Sequence, residues 1–432
     1  MMDRWFGIRA AGSTVSREVV GGITTFLTMA YIVVVNPAIL EGAGIPRDAS
    51  MTATVITAAI GTLAMGLFAN RPFAIAPYMG ENAFVAFTVV KVLGFSWQTA
   101  LAGVFLGGVL FTLLTVSGLR KAMAEAIPAS LKAAFTAGIG LFLAFIGLNE
   151  MGVVALGAPG APVRLGDLSR PEVLVGIGTF LAMGALQIRK VPGALLWAIL
   201  LGTGASMALG VSPLPERLLD LPPSPAPILL QMDFRGALSV GFLNVLLVMF
   251  VMDFVDTLGT LLGVADRAGL LDDRGNLPGI ERPMLVDALS TVVAASLGTT
   301  TAGAYIESAA GVEAGARTGL ASVVTGMLFL LALFLAPLFT AVPPAAYGPV
   351  LVLVGLAMTS SLARIPFQRL EEALPALAVV GLMSFTYNLG VGMAAGFVLD
   401  PLCRLVAGRG REIRPGMWML FAFSLALFAF LP

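Results

Sequence analysis

The 432-residue chain has no histidine, a single cysteine (Cys403), and charged side chains at only 12% of its positions. Each scarcity excludes something. Without histidine there is neither the side chain that ordinarily changes charge near neutral pH nor the commonest metal ligand, so any proton chemistry must run on carboxylates. One cysteine excludes an internal disulfide and a cysteine-based metal cluster. The 25 Lys and Arg balance the 25 Asp and Glu, and a net charge of zero gives no reason to expect nucleic acid as a partner. What remains is apolar: 58% of residues are hydrophobic and the mean hydropathy is strongly positive. So few charges cannot keep that much apolar surface in water, so the expected surroundings are a lipid bilayer. The stretch from Met1 to Ser16 carries Arg4 and Arg9 but no apolar core, so no cleavable signal is expected and the first hydrophobic segment stays as an anchor.

Hydrophobic segments fall near 17–40, 50–69, 73–92, 97–118, 130–149, 172–188 and 191–210, and again near 239–265, 284–298, 301–313, 318–340, 346–363, 373–388 and 389–407. A polar, proline-rich stretch at 211–238 divides the two sets, and an apolar segment at 415–432 follows them without a counterpart. Seven plus seven predicts an all-α polytopic membrane protein, a 7+7 inverted repeat of 14 transmembrane segments plus a C-terminal apolar segment. With the N-terminus in the cytoplasm, 19 of the 25 basic residues fall on the inside, among them Arg120, Lys121 and Arg274, as the positive-inside rule requires. The 211–238 linker is then external.

Two segments are interrupted in a matched way. Asn70 to Phe84 contains Pro72 and Pro77, which push the residues before them out of the helical region. Gly298 to Ala310 opens with three threonines between glycines. Each is expected to run extended and then turn helical just before a glutamate, Glu81 or Glu307, giving two half-helices preceded by short strands. Broken backbone in a membrane is tolerated only where it lines a cavity or is buried in protein, and matched breaks in two halves point to a transporter's substrate site.

Five acids lie within these apparent spans: Glu81, Asp253, Asp256, Asp287 and Glu307, with no Lys or Arg deep in a span to pair with them. An ionised residue at the bilayer centre costs roughly 2.5–3.5 kcal/mol on insertion scales. These acids must therefore face the interior and be protonated, cation-bound or hydrogen-bonded. For Asp287 a purely structural bridge between helices is as good a reading as a functional one. Helical spacing places Asp253, Asp256, Thr257 and Thr260 on one face of an otherwise apolar helix. Tyr305 and Phe73 flank the breaks and offer a stacking wall, although packing is the better reading of Phe73.

At these residues the sequence resembles the nucleobase–cation symporter 2 family, the nucleobase/ascorbate transporters, and within it the AzgA-like adenine/guanine/hypoxanthine permeases. The resemblance is carried by Thr24 to Ile32 (TTFLTMAYI), Gly80 to Phe84 (GENAF), Asp253 to Thr260 (DFVDTLGT), Val286 to Thr291 (VDALST) and Tyr305 to Gly311 (YIESAAG). It implies a core domain of residues 1–120 (spans 1–4) and 239–340 (spans 8–11). A gate domain is implied at 121–210 (spans 5–7) and 341–408 (spans 12–14), with 409–432 left as the terminal apolar segment. It implies uptake of a purine nucleobase across the cytoplasmic (inner) membrane of a bacterium, without enzymatic chemistry and without a cofactor or metal. Glu307 and Asp253 are the implied nucleobase-binding acids, Asn82 a polar contact and Asp256 an acid needed for transport. The reading of the residues adds Tyr305, Ile306 and Thr257 as candidate substrate contacts, and Glu307, Glu81 and Asp287 beside Asp256 as candidate coupling and transport residues. Uracil-carrying relatives place a histidine where this chain has Thr257, so coupling falls to carboxylates, Glu307 or Asp256 first.

Other classes fit less well. An anion transporter of the same fold would want positive charge where this chain has acids. An intramembrane hydrolase could use paired aspartates, but Asp253 and Asp256 on one helix face cannot flank a bond from two sides. An ion channel would show repeated pore rings, and none is present. Which purine is preferred, sodium in place of the proton, and a homodimer all stay open at the level of sequence.

Overall fold

The computed structural model describes residues 2–117, 127–158, 161–215, 217–271 and 277–429. Arg120, Lys121 and Arg274, the division at 120/121 and the last three residues of the terminal apolar segment lie outside them. The described chain is a multi-pass helical membrane protein, with nine helical stretches long and apolar enough to cross a bilayer by length and composition. A helix satisfies its own backbone, which lipid cannot do.

In chain order the helices are α1 (Met2–Phe6), α2 (Val15–Met29), α3 (Ile32–Glu41), α4 (Arg47–Leu67), α5 (Met79–Ala83), α6 (Trp97–Val116), α7 (Ala129–Glu150), α8 (Pro171–Ile188), α9 (Ala194–Ala208) and α10 (Phe234–Ala237). There follow α11 (Leu243–Arg267), α12 (Glu281–Leu297), α13 (Ser308–Glu313), α14 (Gly319–Ala332), α15 (Ala336–Thr340), α16 (Pro344–Thr359), α17 (Leu370–Phe385), α18 (Leu389–Val406) and α19 (Pro415–Ala429). The strands are β1 (Ile75–Pro77), β2 (Val154–Ala158), β3 (Ala161–Leu165) and β4 (Ala302–Ala304). Local chemistry sets many of the ends. Thr14 and Ser96 cap α2 and α6 by accepting the amides of Arg17 and Thr99, and Gly298, at φ +94°, closes α12 in the left-handed region.

Two groups of helices pack among themselves. α4 lies against α3, α12 and α14, α2 against α13 and α14, and α6 against α11 and α12. Separately, α7 packs on α16 and α17, α8 and α9 on α16, and α18 on α17 and α19. Between the groups, α5 comes up against α7 where Gly80 has no room for a side chain beside Ile139.

The two interrupted segments meet. β1 and β4 pair antiparallel, with Ile75 opposite Ala304, Ala76 opposite Gly303 and Pro77 opposite Ala302. The ladder is extended at both ends by Tyr78 N–H to Thr301 O and Tyr305 N–H to Ala74 O, each 2.9 Å. Each strand also has an outer edge with no strand beside it, and side chains close those edges. Thr62 of α4 donates to Ile75 O and accepts from Ile75 N–H, while Thr291 of α12 does the same at Ala302. Asp287 accepts the Ala304 amide at 2.9 Å. In an apolar surround an unmade backbone bond is expensive, so these hydroxyls and this carboxylate are what allow strands here at all.

The 211–238 stretch is more ordered than its composition suggests. Thr52 donates to Pro223 O, Leu230 N–H to Ser296 O, Asp233 N–H to Gln98 O, and Asp220 N–H to Phe334 O. Ile228 is fully buried against Gly298. Asp233 caps α10, and the Gly236 amide, followed by the Thr99 hydroxyl, holds its carboxyl below the usual carboxylate range. A β2–β3 hairpin between α7 and α8 has no counterpart in the sequence reading.

Two further acids lie within helical spans, which corrects the count of five. Glu18 of α2 is fully buried and accepts the amides of Arg317 and Thr318 at 3.0 and 3.2 Å, capping α14. Asp400 of α18 is paired with Arg404 one turn on at 2.9 Å, so a buried cation does exist within a span.

Two outcomes follow. A Cβ at Gly303 would overlap the Tyr78 ring and hydroxyl, so Gly303→Leu is expected to insert but melt earlier in detergent, checked by a thermal melt. An unshifted melt would show that the strand crossing is dispensable. Glu18→Ala strands the buried Thr318 amide, at a cost on the order of 1–3 kcal/mol, and the half-buried Arg317 amide, and should lower the melting temperature. Glu18→Gln, which keeps one acceptor, should fall between the two.

Candidate functional site

The strand crossing places two tyrosines in matched positions, each directly after its strand. Their rings lie nearly parallel, 10° apart with centroids 6.1 Å from one another. The Tyr305 hydroxyl donates to Pro77 O, tying one segment to the other. Tyr31 sits at the junction of α2 and α3 and donates to Glu307 Oε1 at 2.5 Å. Neither Tyr31 nor Tyr78 was singled out as a site residue from sequence. Tyr31 lies within the TTFLTMAYI motif, and Tyr78 mirrors Tyr305 across the repeat, so a signal for each was present.

The strand register shows that the two glutamates do not occupy the same place. With residues 75–77 paired to 302–304, Tyr78 corresponds to Tyr305, and Glu81 therefore to Ser308 rather than to Glu307. One residue is about 100° around a helix. Glu307 precedes α13, beside Tyr31, and is half-buried, whereas Glu81 lies in the first turn of α5 and is buried.

The polar face of α11 divides in the same way. Asp253 is buried and Asp256 half-buried. Thr257, fully buried, donates to Asp287 Oδ2 at 2.6 Å and lies 3.4 Å from the Tyr78 hydroxyl. Asp287 therefore joins α11, α12 and β4 through both of its oxygens. Glu81, Asp253, Asp256 and Asp287 are near enough to act on one another electrostatically, and Tyr305 feels Glu81, Asp256 and Glu307. Among the described residues no three Cys, Asp or Glu side chains are arranged as ligands of one metal ion.

Asn82 is engaged on one side only, its own Oδ1 being buried without a hydrogen-bond partner. Its amide donates to Asn36 Oδ1, and Asn36 in turn donates to Thr54 and Thr299 at 2.6 and 3.0 Å, all of them buried. Ile306, 48% exposed, presents an apolar edge beside Glu307. Phe73 is fully buried among Met65, Ile75, Leu261 and Val264, which makes it a packing residue. Two open cavities, of about 370 Å³ beside Arg217 and about 350 Å³ between α8 and α9, lie apart from this centre. What the centre offers is a set of hydrogen-bond acceptors with no cation beside them among the described residues, walled by tyrosine rings, at the point where two broken segments cross.

Comparison with known proteins adds to this. A permease family model matches residues 16–398. The adenine permease AdeP of Escherichia coli is 40% identical over 415 residues, covering 96% of this chain and 93% of AdeP. The guanine/hypoxanthine permease PbuG of Bacillus subtilis is 39% identical over 441 residues, covering both proteins completely. Among solved structures, the transmembrane domain of the cyanobacterial bicarbonate transporter BicA superposes with a TM-score of 0.65 at 18% identity, covering 88% of this chain and 97% of that one. The last likeness concerns the fold alone.

Proposed function

Because the chain belongs to the nucleobase/ascorbate transporter family of permeases, and is a membrane transporter rather than an enzyme, we propose that it takes up the purine nucleobases adenine, guanine or hypoxanthine. The observation that carries this reading is the cation-free group of acids beside paired tyrosines, in a chain similar over nearly its full length to an adenine permease and a guanine/hypoxanthine permease. A purine is neutral, planar and edged with N–H donors. Carboxylates accept from those donors and aromatic rings cover the faces. An anion, the cargo named for BicA, would meet repulsion here.

In this proposal Asp253 and Glu307 bind the base, with Tyr305 and Ile306 at its face and edge. Thr257 and Asn82 act from behind, Thr257 through Asp287 and Asn82 through Asn36. The two packed helix groups are the core and gate of a 7+7 inverted repeat of fourteen segments, which move against each other in alternating access. The N-terminus lies in the cytoplasm of a bacterium and the 211–238 linker outside the inner membrane. Coupling is to a proton carried by an intramembrane carboxylate, since no histidine is present and no described Lys or Arg lies beside these acids.

The test is uptake of labelled hypoxanthine by proteoliposomes, challenged with unlabelled adenine, guanine, uracil and sulfate. Purines are expected to compete and sulfate to have no effect. Competition by sulfate alone would favour the anion reading. A carboxylate bond to a neutral donor is worth about 1.5–3 kcal/mol, so Asp253→Ala should weaken purine affinity roughly 10- to 150-fold while expression holds. Unchanged affinity would remove Asp253 from the site.

A further inference from the structure

The acids of this centre differ in how their oxygens are engaged. Glu307 accepts from Tyr31, and Asp287 from Thr257 and the Ala304 amide. Asp256 is half-buried. Glu81 is only 1% exposed, yet neither of its carboxylate oxygens has a hydrogen-bond partner.

Its neighbours make an ionised form more costly still. The charged groups facing it are Asp253 and Asp256 of α11 and Asp287 of α12, with the neutral Tyr305 at the strand crossing. α3 and α7 also pack on α5. Their only charged residues, Glu41, Lys132 and Glu150, lie at or within a turn of the helix ends, and at α5 they present Ile139 and, through Asn82, Asn36. An ionised Glu81 would be a buried charge facing like charges, with no hydrogen bond from any other residue. A protonated one is merely a polar group with unmade bonds, which burial penalises far less.

We infer that Glu81 is the proton-carrying residue of the transport cycle. It is neutral while enclosed as here, and it gives up its proton when the cycle opens the centre to water. Asp256, less enclosed than Glu81 and on the facing helix, is the acid through which that proton enters or leaves. One proton from solvent converts the carboxylate to the acid, and the same proton returns to solvent on the other side, so no further reactant is needed. The one-residue offset between the repeats explains why this role falls to Glu81 and not to Glu307. Glu307 is turned toward Tyr31 and the half-open face, Glu81 toward the other acids. The inference rests on the purine–proton reading above and names its proton site.

Glu81→Gln keeps the shape of the acid but cannot exchange a proton. In proteoliposomes it is expected to retain purine binding and purine–purine exchange while losing accumulation driven by a pH gradient. Glu307→Gln, run beside it, should instead lose affinity. Glu81→Leu should lose accumulation in the same way, and both Glu81 variants should melt no lower than wild type, because the acid they replace has no partner. Infrared difference spectra taken on purine addition should show a protonated carboxylic acid band in wild type that is missing from Glu81→Gln, a signature that packing alone does not produce. Gradient-driven accumulation by either Glu81 variant at the wild-type level would overturn the assignment, as would an unchanged infrared band. If wild type accumulates no purine, the reading of function fails first. If accumulation follows sodium and ignores the pH gradient, proton coupling fails and Glu81 with it.

Discussion

Two strands of three residues each have to exist where neither water nor a larger sheet can complete their hydrogen bonds, and much of the centre is arranged to meet that demand. β1 and β4 complete one another on their inner edges. Thr62 and Thr291 complete the outer edges, and Asp287 takes the remaining amide at Ala304. α4 and α12 must therefore stand on either side of the crossing at hydroxyl-bonding distance. α11 is drawn in as well, through Thr257 to Asp287. The acids of α11 reach the centre because a carboxylate that closes a strand edge holds their helix there.

The same crossing explains how a near-symmetric scaffold presents unlike acids. Both segments run strand, tyrosine, helix, and the tyrosine rings keep that symmetry in their parallel planes. The glutamates break it by a single residue. A symmetric pair would meet the ligand in the same way from both sides. An offset pair gives one acid with a hydroxyl partner at a half-open face and one enclosed acid with none. One fold element thus holds two glutamates in unlike surroundings.

Much of this was legible in the sequence, for identifiable reasons. Pro72, Pro77, Gly298 and the threonine run mark the breaks because they act on their own backbone, and the stripe from Asp253 to Thr260 follows from helical spacing alone. The pairing of Asp400 with Arg404 could have been read from the same four-residue rule. What stayed hidden depends on contacts distant along the chain. Glu18 holds the start of a helix some 300 residues away, and the Asn82 amide bonds Asn36. The offset of the glutamates becomes visible only once the strand register is fixed, because two motifs aligned by eye on their acids conceal it. For Asp287, spacing could not separate a bridging role from a functional one, and its geometry shows the bridge directly.

The segment joining the two sequence halves leaves α9, in one helix group, and is then fastened to α4, α6, α12 and the end of α14, all in the other. Between Ala208 and Asp220 it carries Pro213 and Pro215, which restrict the backbone that joins the two bodies. Mechanically, the connection is a short lanyard tied close to one body, not a strap laid across both. Any displacement of one group against the other on that face is taken up over that short length, and the long remainder of the segment travels as part of the body to which it is sewn.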